Sequence, residues 1–157
     1  MKKMLLIEVL KKLFLSIIGV YSLFFIVCAT LAPICAKLGL YELSSNCHFL
    51  LMNSCHQRPE RCFWIFGYPI SLCCRCYGVY IGVILASIFA LLNKFKIKPP
   101  IILIMFIICG LDICLNFIFH INTGNITRFF IGIFIGTIII YFINLIITFS
   151  WKGKNNA

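Results

Sequence analysis

The residues able to do chemistry gather between positions 55 and 80. They read Cys55-His56-Gln57-Arg58-Pro59-Glu60-Arg61, then Cys73-Cys74-Arg75-Cys76-Tyr77-Gly78-Val79-Tyr80. Cys73 and Cys76 form a CxxC, whose two sulfurs can share one tetrahedral metal or close a redox-active disulfide. With Cys55 and His56 upstream, a Cys₃His site for a metal such as zinc is open stereochemically, and the 16 residues between His56 and Cys73 are an ordinary zinc-site spacing. Two considerations oppose it. Adjacent Cys and His seldom hold the same ion, and a loop outside the cytoplasm favours disulfides. Of the ten cysteines, Cys28, Cys35, Cys109 and Cys114 lie in apolar runs, where a thiol behaves as a small hydrophobe.

The elements that position this chemistry belong in a bilayer. Hydrophobic residues make up 62% of the chain and charged residues 11%. Mean hydropathy is +1.07. These values exclude an ordinary soluble domain. Four segments, at about 13–36, 76–93, 101–121 and 129–151, reach roughly the 20 residues that span a bilayer. The first reads as a membrane helix and not a leader, because its apolar run is too long and no small-residue cleavage site closes it. The expected fold is all-α: one integral membrane domain over 1–157, with four transmembrane helices as two hairpins. A Cys-rich extracytoplasmic loop, 37–75, joins the first two helices.

The net charge of +10 is a topology signal and does not point to nucleic acid. Lys2, Lys3, Lys11, Lys12, Lys94, Lys96, Lys98, Lys152 and Lys154 fall on one side of such a bundle, and Lys37, Arg58, Arg61, Arg75 and Arg128 on the other. Nine against five places both termini in the cytoplasm of a cell membrane. Lysine is the default cation here, yet all four arginines fall on the disfavoured outer side. Arginines kept there point to a use for the planar, multi-donor guanidinium.

The remaining patterns concern packing and burial. Gly78 and Gly82 follow Arg75, and Gly132 and Gly136 follow Arg128. These small-xxx-small faces allow close backbone approach in lipid. They are expected either to pack the second and fourth helices together or to serve a second copy or a membrane partner. On the third helix, Asp112, Asn116 and His120 form one polar stripe at i, i+4 and i+8. A carboxylate in a membrane segment is a functional candidate by default. Asn122-Thr123-Gly124-Asn125 reads as a turn leading to Arg128. Asp112 is expected to reach Arg128 through Asn116, His120 and water, not by direct contact.

The combination Cys55-His56-Gln57, Pro59-Glu60-Arg61, Gly67, Cys73-x-Arg75-Cys76, Gly78 and Tyr80 resembles the prokaryotic membrane family called domain of unknown function 2085. The likeness continues to Asp112, Asn125, Arg128 and Gly132, and covers about residues 50 to 140. It departs at Ile113, where the family has Gly, at Asn116, where it has Gln, and at Cys62, where it has Ser. Cys62 is therefore a poor candidate for an essential ligand. The resemblance implies a multi-pass membrane protein and brings no reaction with it. On these positions Arg61 and Asn125 join Arg75, Asp112, Asn116 and Arg128 as candidate residues supporting the site or binding a ligand.

Three functions fit this pattern. One is a metal centre at Cys55, His56, Cys73 and Cys76, backed by Arg75, Asp112 and Arg128. The second is a membrane thiol–disulfide oxidoreductase using Cys73-x-x-Cys76. The third is a disulfide-stapled structural or interaction protein. Metal content and thiol counts discriminate the first from the other two.

Overall fold

A computed structural model describes residues 2–92, 97–118 and 123–155. Its helices are α1 (Lys2–Lys37), α2 (Tyr41–Leu51), α3 (Cys74–Leu91), α4 (Pro99–Phe117) and α5 (Asn125–Asn155). A 3₁₀ turn (Pro59–Arg61) and an antiparallel pair, β1 (Cys62–Ile65) and β2 (Tyr68–Cys73), lie between α2 and α3. Among the described residues, four helices are long and apolar enough to cross a membrane: α1 over Glu8–Lys37, α3 over Cys74–Leu91, α4 over Pro99–Asn116 and α5 over Asn125–Thr148. The expectations that rest on His120, Asn122, Lys94 and Lys96 lie outside the described residues.

The segment expected as a plain loop is instead a folded cap, and the all-α expectation is corrected by its small sheet. Gly39, at φ +77°, stops α1. Leu40 N–H donates to the Cys35 carbonyl at 2.9 Å, which satisfies an orphan group at the helix end. Phe66 and Gly67, at φ +55° and +82°, make the tight turn between β1 and β2. Two successive left-handed residues match the twist of a two-residue hairpin. A two-stranded hairpin is marginal alone, and this one rests on α1. Leu72 joins Phe25, Cys28, Ala29, Leu51 and Cys55 in one core beneath the cap. Lys37 lies over the Phe66 ring at 3.7 Å and pins the hairpin tip to the end of α1.

Helix α3 is flanked by α1 and α5, and α4 packs on α5. At the centre of the bundle the glycines of α3 and α5 meet. A methyl group at Gly78 would collide with the Phe129 carbonyl, one at Gly82 with that of Ile133, one at Gly132 with that of Arg75, and one at Gly136 with that of Val79. The glycine faces proposed for a second copy or membrane partner are thus occupied by each other, which corrects that expectation. Backbone contact this close leaves no room for a third surface. Replacing Gly132 or Gly82 by valine should cost about 3 kcal/mol or more, because the obstacle is rigid backbone. A methyl group added at Gly110 of α4 meets nothing within 4 Å, so that position should accept alanine without loss. Thermal unfolding in detergent compares the two, and a seam variant as stable as Gly110→Ala would refute the seam.

Element starts and stops follow local chemistry. Pro99 opens α4, where a missing N–H costs nothing and the fixed φ suits a first turn. Cys73 ends β2 and caps α3 in an extended conformation, so α3 begins two residues earlier than its apolar run suggests. Helix α4 is described to Phe117, and its expected end near 121 lies outside the described residues.

A candidate metal centre in an arginine-lined cleft

The CxxC straddles the junction of β2 and α3. Cys73 is the capping residue and Cys76 lies one turn later, so both thiols stand at the start of the helix. Cys55 arrives from the turn after α2 and is buried. The sulfurs of Cys55, Cys73 and Cys76 lie within 4.8 Å of one another. Three thiolates on one zinc, each at about 2.3 Å, stand about 3.8 Å apart in tetrahedral geometry. The spacing therefore needs a shift of an ångström or less to close on a metal. His56, the fourth candidate ligand, is exposed and outside this group, although it lines the same cleft.

Of the three thiols, that of Cys55 is the one set up to ionise most readily. Its sulfur accepts backbone N–H bonds from Cys73 at 3.2 Å and Gln57 at 3.4 Å. Hydrogen bonding from the Cys73 thiol, then from Cys76, holds its pKa down to about 2, against opposing burial. The same contact raises the pKa of Cys73, since losing the proton it shares with Cys55 would set two anionic sulfurs against each other. Gln57 makes this geometry. It adopts φ +50°, a strained conformation for a residue with a side chain. Its amide Nε2 donates to the His48 carbonyl at 2.7 Å and anchors the turn to α2. By contrast, burial pushes the Cys62 thiol up to about 12, and it donates to the Arg58 carbonyl at 3.2 Å. Cys62 is thereby kept as a neutral structural thiol.

A polar chain runs from the cap into the helices. The Arg75 guanidinium pairs with the Asp112 carboxylate, tying α3 to α4. Asn116 Nδ2 donates to the Asp112 carbonyl at 2.8 Å, to its Oδ1 at 3.1 Å and to Thr123 Oγ1 at 2.9 Å. Arg128 Nη2 donates to Asn116 Oδ1 at 2.9 Å. Asn125 Nδ2 in turn donates to the Glu60 and Cys62 carbonyls, each at 3.3 Å. Asn116 thus bridges Asp112 and Arg128. The direct partner of Asp112 is Arg75, the residue that precedes the glycine face of α3. Asp112 of α4 thus lies level with the first turn of α3, which carries Arg75.

These parts enclose one cleft of about 390 Å³. The three sulfurs, His56, Asn116 and all four arginines of the chain line it. Arg58 and Gln57 were not among the candidate site residues. The side preference of the arginines pointed to Arg58, whereas Gln57 carried no signal beyond its place in the motif. Asp112 and Arg128 are 5% and 6% exposed, respectively.

The chain matches the family described as "Predicted membrane protein (DUF2085)" over residues 55–142, a span that includes the whole cysteine group and the polar chain. An uncharacterized protein of Methanocaldococcus jannaschii is 31% identical over 144 residues, covering 85% of this chain and 92% of that relative. An uncharacterized protein of Methanothermobacter thermautotrophicus is 27% identical over 82 residues, covering 50% of this chain and 74% of that relative. No solved structure matches. Match length and identity together place this chain in the DUF2085 family of membrane proteins.

Proposed function

We propose that this protein is a four-helix membrane domain spanning 1–157, built as two hairpins, that holds one metal ion at its extracytoplasmic face through Cys55, Cys73 and Cys76. The observation that carries this reading is the convergence of three sulfurs, one of which, that of Cys55, already accepts two backbone N–H groups. Soft sulfur donors in tetrahedral spacing favour zinc. Three protein ligands would leave a zinc ion one position for water or a ligand, and the three cysteines line the cleft through which one could enter. His56 stands on the wall of that opening. Arg61, Arg75, Asp112, Asn116, Asn125 and Arg128 orient the centre and shape what enters.

Metal analysis combined with thiol counting on detergent-purified protein tests the reading. About one zinc per chain is expected, with three thiols becoming reactive only after chelation. Metal-free protein carrying a reducible disulfide among Cys55, Cys73 and Cys76 would overturn it, and partner- or quinone-dependent turnover would then mark an oxidoreductase.

Orientation is tested separately. With both termini in the cytoplasm, a green fluorescent protein fused after the last residue should fluoresce and an alkaline phosphatase fused there should be inactive. The reverse pattern would put the sulfur cluster in the reducing compartment.

A further inference from the structure

We propose that the cleft is a binding site for a phosphate group, gripped by the arginines beside the three-sulfur centre. The chain has ten lysines and four arginines, yet among the described residues the cleft is lined by all of the arginines and by no lysine. That selection is chemical. A guanidinium offers a rigid fork of donors that matches two oxygens of an oxyanion, whereas an ammonium is a point charge.

The charges are unbalanced in the direction of an anion. Four cations, Arg58, Arg61, Arg75 and Arg128, face the cleft, and Asp112 answers only Arg75. Arg128 is deeply buried, and among the described residues its side-chain partners are the neutral amide oxygens of Asn116 and Asn125, at 2.9 and 3.5 Å. A buried cation with no carboxylate in direct contact is unfavourable, and an anion in the cleft supplies a direct partner. The Arg75 Nε is likewise buried with no hydrogen-bond partner among the described residues. Resting on the metal reading, one further match appears. Zinc on three thiolates leaves one negative charge, so the cleft retains two positive charges, which a phosphate dianion neutralises.

The cleft is larger than a phosphate group alone needs, and the cap around it exposes Phe49, Leu50, Met52, Trp64 and Phe66. Aromatic and apolar residues at the outer end of a membrane bundle sit at the lipid–water boundary. The phosphate can therefore arrive as a lipid headgroup or from solution, and the chemistry that recognises it is the same.

Calorimetric titration of inorganic phosphate into the full chain, in phosphatidylcholine nanodiscs, tests the site. Saturable binding of one phosphate per chain is expected. It should weaken at least tenfold in Arg58→Gln and in Arg61→Gln, two exposed positions outside the buried polar chain, with zinc content measured on the same samples. No saturable binding, or binding unchanged in both variants, overturns the proposal. Repeating the titration with phosphatidic acid in the nanodiscs distinguishes the source. Lost phosphate binding there assigns a lipid headgroup and undiminished binding assigns a soluble phosphate. Protein that purifies without zinc yet binds phosphate supports this proposal and sinks the metal reading, while zinc retained without phosphate binding does the reverse.

Discussion

Replacing any one of Cys55, Cys73 or Cys76 by serine should strip the metal from the purified protein. A three-sulfur centre has no ligand to spare, so each single variant should lose about as much zinc as any double variant. The loss reflects more than one missing bond. Cys55 already accepts two backbone hydrogen bonds, so its sulfur is fixed in place whether or not the others are present. Cys73 and Cys76 share one helical turn, and removing either leaves two sulfurs for an ion that takes four ligands. Cys62, Cys74 and Cys47 should accept serine with zinc retained. Cys62 is kept neutral by burial and donates its proton to a carbonyl, which a hydroxyl can also do. His56→Ala should retain zinc as well, since its imidazole lies outside the sulfur group. Equal zinc loss at all seven positions would indicate general unfolding of the cap and refute a defined centre.

Asp112→Asn should destabilise the bundle by about 3 kcal/mol, within the usual range for removing one partner of a buried ion pair. The value falls at the low end of that range because Arg75 keeps 30% of its side-chain surface exposed. Arg75 is then left as a cation without its carboxylate, and α3 loses its polar tie to α4. Combining Asp112→Asn with Arg75→Gln should recover a large part of the loss, because the two groups are in direct contact and couple strongly. Combining it with Arg128→Gln should give nearly additive losses, since Asn116 stands between. Denaturation in detergent, followed by helical signal or by zinc release, measures the double-mutant cycle. Rescue by Arg128→Gln and not by Arg75→Gln would mean that the pairing has been assigned to the wrong arginine.

Only one of these partners was legible beforehand. Asn116 as a bridge follows from i+4 spacing on one helix face, a local relation that any α-helix enforces. The Arg75–Asp112 pair depends on where α3 starts. An apolar run does not mark such a start, because capping and strand pairing shift it by several residues. The cap was hidden for a related reason. Cys62-Phe63-Trp64-Ile65 is apolar enough to read as an interfacial loop, and its pairing with β2 is stabilised by packing on Phe25 and Ala29 of α1, residues far away in sequence.

Composition and short period alone carried a membrane protein with four helices long and apolar enough to span, glycine faces on the second and fourth of them, and a CxxC at a helix end. Lipid immersion is read residue by residue, so it needs no knowledge of neighbours. Tertiary structure decided what those features meet. It turned the glycine faces toward each other, brought Cys55 to the CxxC across 18 residues and left His56 outside the sulfur group. It also gathered four arginines, spread from position 58 to position 128, around one cleft. Such contacts are long-range, and only the packing of α1, α3, α4 and α5 under the cap brings these groups within bonding distance.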